Sequence, residues 1–495
     1  MNKSIIVVGA GMGGLAAGIY GRMNGYQTTI FEQHAIPGGQ CTSWKRKGFT
    51  FDACIHHLFG CDRSTRLYDL WEELGAMPRE LARTEEAVSV ASVEGTLFND
   101  YYDPDRLESH LKELAPDDSG VIEDYVRAIK RIAKVDFIGE PMMGSAGGML
   151  KMAPALAREV RWLRPTMKDV AERFSDRFLR RAFPLLEYSL PDAPFLIHLI
   201  KHGCGYNGSV AWPVGGAAAL AKSMEEKYRD LGGEVHYRQK VEEILTDGGR
   251  AVGVRLQDGS EHRAGVVISN ADGRKTIMGM LKGRYLDERI RRYCEEPEDK
   301  TPWAVHVFLG VARDLSREPS SLVILLDRPF TVAGHTASSL EMQLYGFDPS
   351  MAPEGKGVIK VELVSSYSYW KELYAERARY DEEKEKVADE VIGTLDRTHF
   401  PGIRGQVEVV DVPTLMTWER YVGGTHGFVS MPNKKFNPMN MMLGRLDSTL
   451  PGLSDFYLVG TWATSAGALF ANALSGRKTI KNICERDGRR FIVQR

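Results

Sequence analysis

Hydrophobic positions open the chain as a β-branched run, Ile5 to Val8, bounded by glycine, which is the pattern of a strand buried on both faces. Leu15 to Asn24 follow with a helical period that Gly25 ends, and QTTIF predicts a second strand with Glu32 at its close. From about Tyr101 to Lys201 the pattern changes to long helices with charged faces. Ala217 to Leu231 predict one more helix. Strands then alternate with turns at Asp247-Gly248-Gly249 and Asp258-Gly259 before the apolar run GVVISNA. A helix feeding a strand, a small meander and a last apolar run complete a doubly wound sheet after an insertion. Between about Lys282 and Gly444, TPWAVHVFLGV and GVIKVELVSSY read as strands, and WKELYAERARYDEEKEKVADEVIGTLD as one long, charged helix. Phe456 to Val459 are strand-like again; Gly460 turns the chain and a helix begins near Gly467.

The first turn carries chemistry. Gly9, Gly11 and Gly14 stand in G-x-G-x-x-G spacing: the first allows a tight turn, the second lets backbone approach a pyrophosphate, and the third lets helix and strand pack closely. The helix amino end offers unbonded N–H groups and partial positive charge to phosphates. Glu32, roughly twenty positions past the glycines, can accept both hydroxyls of an adenosine ribose and would repel a 2′-phosphate. NAD and FAD share that adenosine half, so this motif leaves both open. Pro37-Gly38-Gly39, just beyond, suits a backbone that passes close to a large ligand. GCGYNG, Gly203 to Gly208, repeats the glycine spacing. Pro213 follows too soon for a long helix to open on its last glycine, so no second dinucleotide site is expected there.

The 495 residues exceed one ordinary domain, and a formal charge of −2 argues against a nucleic-acid partner. Six cysteines without a C-x-x-C pair fit a reducing cytosol and predict no metal site. The N-terminus runs straight into a buried strand, leaving no room for a signal peptide, and no stretch reaches the ~18–20 apolar residues of a membrane span. A cytoplasmic location is expected. Leu150 to Pro165 mixes Leu, Met, Ala and Trp with Lys151, Arg158, Arg161 and Arg164. That composition suits an interfacial helix making peripheral membrane contact, and equally a helix covering a core.

Four separated segments fit one pattern: the glycine turn with Glu32, then PGGQ…GFTFD…HH, then WPVGG…GGEV…GVRLQDG…VISNAD, and finally YLVGTW…AGALFANALSGR. From end to end they resemble the flavoprotein family of bacterial phytoene desaturases, carotenoid cis–trans isomerases and retinol saturases, within the amine-oxidase-like FAD group. The resemblance implies FAD as cofactor and an α/β fold. A Rossmann-like FAD-binding domain, with a doubly wound parallel sheet plus a β-meander, would carry a discontinuous α+β substrate domain. FAD-binding segments are expected at 1–100, 206–285 and 445–495, and substrate-domain segments at 101–205, mostly helical, and 286–444. The resemblance implies that Gly9, Gly11 and Gly14 hold the pyrophosphate and Glu32 the ribose. Gly38 and Gly39 would run along the cofactor, and the backbone at Val241 would meet the adenine. Gly460, Gly467 and Ala468 would bring the last helix, amino end first, to the pyrimidine side of the isoalloxazine, where a reduced flavin carries negative charge. Three positions depart from the family pattern: Gln40 replaces the usual Arg, Cys54 the usual Gly, and His57 a residue that is usually aromatic.

Substrates in such a family are long, apolar and unsaturated, so a lipophilic small molecule in a hydrophobic tunnel is the expected partner. Hydride exchange at flavin N5, with a proton moved at the neighbouring carbon, makes or removes a double bond; cis–trans isomerisation is a third outcome. The implied function is desaturation, saturation or isomerisation of a polyene or isoprenoid. His56 stands at the family histidine and is the candidate for moving the proton, its other role being a hydrogen bond to cofactor or backbone. His426, in YVGGTHGF, is a second candidate. Three rivals share parts of the pattern. A flavin amine oxidase would be supported by an aromatic cage and a flavin-linked Lys. A non-catalytic FAD-binding protein is another, and a pyridine-nucleotide reductase would need GCGYNG as a real site.

Overall fold

β1 (Ser4–Val8) lies in the middle of a parallel sheet, and its alternate residues explain why. Ile5 and Val7 pack into one apolar cluster with α1 (Met12–Met23), while Ile6 and Val8 point into another. Both faces are covered, so an unbroken apolar run is needed. The computed structural model describes residues 3–144, 146–187, 190–295, 300–424, 448–464 and 468–494. Among the described residues this sheet has five strands, all parallel. Their order is Glu234–Tyr237, β2 (Gln27–Glu32), β1, Val266–Ser269 and Phe456–Leu458. The helices Gly216–Asp230 and Leu469–Arg486 join α1 over one face. Gly476 permits this: a Cβ there would stand 2.5 Å from the Gly13 carbonyl oxygen. The meander Val241–Asp247, Arg250–Leu256 and Glu261–Arg263 packs Ile244, Val254 and Leu256 toward the other face.

A second sheet, seven-stranded among the described residues, runs in the order Val407–Asp411, Lys300–Val311, Gly357–Ser366, His335–Leu344, Ser321–Val332, Glu86–Ser92 and Leu97–Tyr101. By sequence Glu86–Ser92, and all but the last residue of Leu97–Tyr101, fall in the opening segment, 1–100. They pair instead into this sheet, Ser89–Ser92 lying parallel to Leu322–Leu325. The reason is again two-sided burial: Val88 and Val90 face the helical layer and Ala91 the opposite cluster. That layer, built from helices between Pro104 and Tyr206, closes around Leu111, Tyr125, Ile129, Phe183 and Phe195.

One further expectation changes. The long charged helix is two helices, Tyr367–Tyr374 and Arg377–Arg397, because Glu376 is extended at φ −118° and ψ 94°. Buried Trp370 and the edge-on Tyr374 and Tyr380 rings, 5.1 Å apart, set that corner, whereas local propensity favours helix throughout. The first four residues of GCGYNG, Gly203 to Tyr206, lie inside the helix Phe195–Tyr206. A Cβ on Gly205 would stand 1.9 Å from the Tyr102 ring and one on Gly203 3.0 Å from the Ala133 nitrogen, so these glycines serve close packing. The same helix buries a polar network. His198 Nδ1 is 2.9 Å and Lys201 Nζ 2.6 Å from Glu187 Oε1, and His202 Nε2 is 3.1 Å from Asp100 Oδ1. Burial alone would raise the Asp100 carboxyl, but His202 and His198 bring it down to about 2.

Candidate active site

Gly9 turns the chain after β1 at φ +95°, and its N–H donates to the Phe31 carbonyl at 2.8 Å. A Cβ on Gly14 would stand 2.0 Å from the Gly9 oxygen, so α1 can approach the strand only through glycine. Gly11 is the N-cap of α1; it has no side-chain cap, and no acid stands in the first turn. Those N–H groups therefore suit an anion. Gly38 folds back on the turn, its N–H donating to the Ala10 carbonyl at 2.8 Å, and a Cβ on Gly39 would stand 3.3 Å from the Gly11 α-carbon. Gln40 follows, half-buried. The Glu32 carboxylate closes the cradle, Oε2 accepting from Ala10 N–H at 2.7 Å and Oε1 from His34 N–H at 2.8 Å. Each oxygen keeps a second acceptor site, which is what a ribose diol requires. Burial raises this carboxyl against the pull of those N–H groups. Val241 starts the meander alongside, because Gln239 N–H donates to the Glu32 carbonyl at 2.9 Å. Phe31, His236 and His262 form a ring wall there, with centroids 5.3 and 4.7 Å from Phe31.

Asn270 was not among the candidates read from sequence. It follows the strand Val266–Ser269 at the carboxyl end of the sheet, the edge where such sheets bind ligands. Its Nδ2 lies 2.5 Å from where a Gly11 Cβ would be, and its Oδ1 2.4 Å from where a Gly460 Cβ would be. The signal was a polar amide ending an apolar run. Gly460, at φ +83°, donates its N–H to Ser475 Oγ at 2.8 Å. The helix Leu469–Arg486 begins after Ala468 with neither a side-chain cap nor an acid in its first turn. Gly467 and His426 lie outside the described residues.

His56 is brought in by Asp52, the buried last residue of β4 (Phe49–Asp52), which pairs with β3 (Ser43–Arg46). Asp52 accepts N–H bonds from Cys54, Ile55 and Ala217 at 3.0, 3.1 and 2.5 Å, tying this bend to the first turn of Gly216–Asp230. His56 Nε2 then lies 3.0 Å from both oxygens of Glu362. Lys360, on the same strand face and fully buried, places Nζ 2.8 Å from Glu362 Oε1. His306 stands opposite Glu362 on the neighbouring strand, its Nε2 3.9 Å from Oε1. Burial alone would raise the Glu362 carboxyl, but His56 and Lys360 hold it well below the usual range. His56 and His57 line a cleft with Val210, Trp212, Gln343 and Phe347. Burial and the Lys201 cation push the His57 imidazole down to about 3. Among the described residues no cluster of His, Cys, Asp and Glu could hold a metal ion.

Burial also pushes His306 down to about 3, with the Lys360 cation adding to the effect against the opposing Glu362. An unfolded chain protonates histidine near ~6.5. The folded state thus keeps His306 neutral where the unfolded state is charged. Its share of stability is complete above pH ~6.5 and is lost as pH falls toward 3, by up to about 1.4 kcal/mol per pH unit. His306→Gln should flatten that part of a plot of urea midpoint against pH. An unchanged slope would show that His306 is not buried neutral.

Comparison with known proteins gives the family and the fold. A family model described as flavin containing amine oxidoreductase matches residues 12–478. The chain is 27% identical to the lycopene-forming phytoene desaturase of Pantoea ananas, over 98% of this chain and 99% of that protein. It is 26% identical to a chloroplastic prolycopene isomerase of Daucus carota, over 95% of this chain and 78% of that protein. The crystal structure of an oxidoreductase from Methanosarcina mazei matches with a TM-score of 0.61 at 18% identity, covering 97% of this chain and 100% of that one. The fold is the α/β architecture of these oxidoreductases.

Proposed function

The chain belongs to the flavin-containing amine oxidoreductase family, and from that membership we propose an FAD-dependent oxidoreductase acting on carbon–carbon bonds of a long apolar polyene or isoprenoid. What carries the reading is likeness along nearly the whole chain to two proteins named as a phytoene desaturase and a prolycopene isomerase. FAD, when bound, supplies hydride exchange. The chain itself must hold that group and handle the proton. Backbone N–H groups at the start of α1 hold the pyrophosphate against the Gly38–Gly39 turn, with uncharged Gln40 beside it. Glu32 takes the ribose and the Val241 backbone the adenine. Gly460 and Ala468 set the last helix toward the pyrimidine end. His56 moves the proton. With Nε2–H donating to Glu362, Nδ1 is the basic nitrogen, and the carboxylate supports the imidazolium that forms. Val210, Trp212 and Phe347 give the cleft an apolar wall.

Anaerobic incubation with polyene, retinoid and unsaturated-lipid pools, flavin oxidised or pre-reduced, tests this by product mass. Loss of a hydrogen pair is desaturation, gain is saturation, and an unchanged mass with a new retention time is isomerisation. Rapid peroxide formation from an amine, with every polyene unaltered, would replace the proposal with an amine oxidase.

Among the described residues no helix is long and apolar enough to cross a membrane. Peripheral contact is part of the proposal. The helix Ala146–Glu159 buries Met152 and Glu159, while Leu150 is 76% exposed and Val160, just past its end, 50%. Arg158 and Arg164 are also exposed. Arg161 has a local task instead: it pairs with Asp124 at 2.8 Å and lies over the Trp162 ring at 4.7 Å. Arg158→Glu with Arg164→Glu should lower cosedimentation with anionic liposomes about tenfold or more at low salt, since each basic residue near such a surface contributes roughly 1 kcal/mol. Equal sedimentation of parent and variant would refute it.

A further inference from the structure

Cys41 and Cys54 face each other at the open end of the β3–β4 hairpin. Ser43 pairs with Asp52, and Ala53 N–H donates to the Thr42 carbonyl at 3.3 Å, carrying the register one residue further. The next opposed positions are Cys41 and Cys54, on the face that Ser43 and Asp52 share. Side chains directly opposite on one face of such a register are neighbours. The Cys41 thiol donates to the Ala217 carbonyl at 3.6 Å, and the neighbouring Cys54, with burial and the Asp52 carboxylate, pushes it well up from its usual value. Asp52 holds both sides of this junction through the Cys54 and Ala217 N–H groups. Cys41 is buried and Cys54 only partly so, which leaves one member of the pair within reach of a small oxidant.

We propose that Cys41 and Cys54 are a redox site of this protein, a dithiol that a peroxide converts to a disulfide. Cys54 is the attacking group. Its sulfur bonds one peroxide oxygen, the O–O bond breaks, and the hydroxide released takes up the thiol proton as water. The Cys41 sulfur then attacks the Cys54 sulfenic acid; the S–S bond forms, the S–O bond breaks, and a second water leaves with the Cys41 proton. Two thiols lose two electrons while one hydrogen peroxide becomes two waters. The bond would staple the Gly38–Gly39 turn to the bend that carries His56. None of this depends on the identity of the substrate.

The test uses the full-length, flavin-bearing protein, reduced, desalted and titrated with hydrogen peroxide. Two of the six thiols should disappear together, and peptide mapping should find Cys41 joined to Cys54 in a product that dithiothreitol reverses. Cys41→Ser should stop the reaction at a Cys54 sulfenic acid that dimedone labels, and Cys54→Gly should leave Cys41 unoxidised. Two results would overturn the proposal: both thiols surviving peroxide that oxidises the other four, or Cys54 oxidised in the parent with no linked peptide. The parent's peptide map decides alone if a variant folds poorly.

Discussion

Glu362→Gln should cut turnover by about 10²–10³-fold with FAD still bound and KM little changed, the scale of a lost acid–base contribution. The amide keeps the carboxylate's shape beside His56 Nε2 but carries no charge to support an imidazolium. Its NH2 can also turn toward the ring and select the opposite tautomer. A second effect follows from Lys360, which is fully buried with its Nζ 2.8 Å from Glu362 Oε1. Removing one member of such a pair leaves a stranded charge, at a cost of about 3–5 kcal/mol in stability. Lys360→Met combined with Glu362→Gln separates the two effects. The double variant should regain most of the urea midpoint and none of the turnover. Recovery of both would mean that Glu362 only balances charge.

Glu32→Ala is expected to loosen FAD about 100-fold, the worth of charge-assisted hydrogen bonds to two ribose hydroxyls. The same change leaves the Ala10 and His34 N–H groups without the acceptor that sets the turn. Glu32→Gln, which retains acceptor oxygen without the charge, should fall between parent and Ala. Dissociation constants from flavin fluorescence report this directly, and equal values for parent and Ala would remove Glu32 from the ribose role.

The cradle could be read from sequence because it is local. Gly9, Gly11, Gly14 and Glu32 belong to one strand–turn–helix–strand unit, and their spacing alone sets their relative positions. Of the proposed acid–base pair, His56 is a candidate from the sequence alone, but its partner Glu362 could not be read in that way. His56 meets Glu362 across a sequence separation of 306, and His306 faces Glu362 only through the register of two long antiparallel strands. A signal was nonetheless present. Lys360 and Glu362, two apart in the apolar run GVIKVELV, had to share one face of a buried strand, where charges occur only when paired. The break at Glu376 and the pairing of Glu86–Ser92 had no such local mark, since packing decides both.

The most direct measurement is an experimental structure of the flavin-bearing protein with a bound polyene. The account predicts the ribose on Glu32, the pyrophosphate between the Gly11 and Gly38 turns, and the polyene in the cleft with its reacting carbons between the flavin ring and His56. A polyene bound elsewhere, or a flavin ring remote from His56 and Glu362, would contradict it.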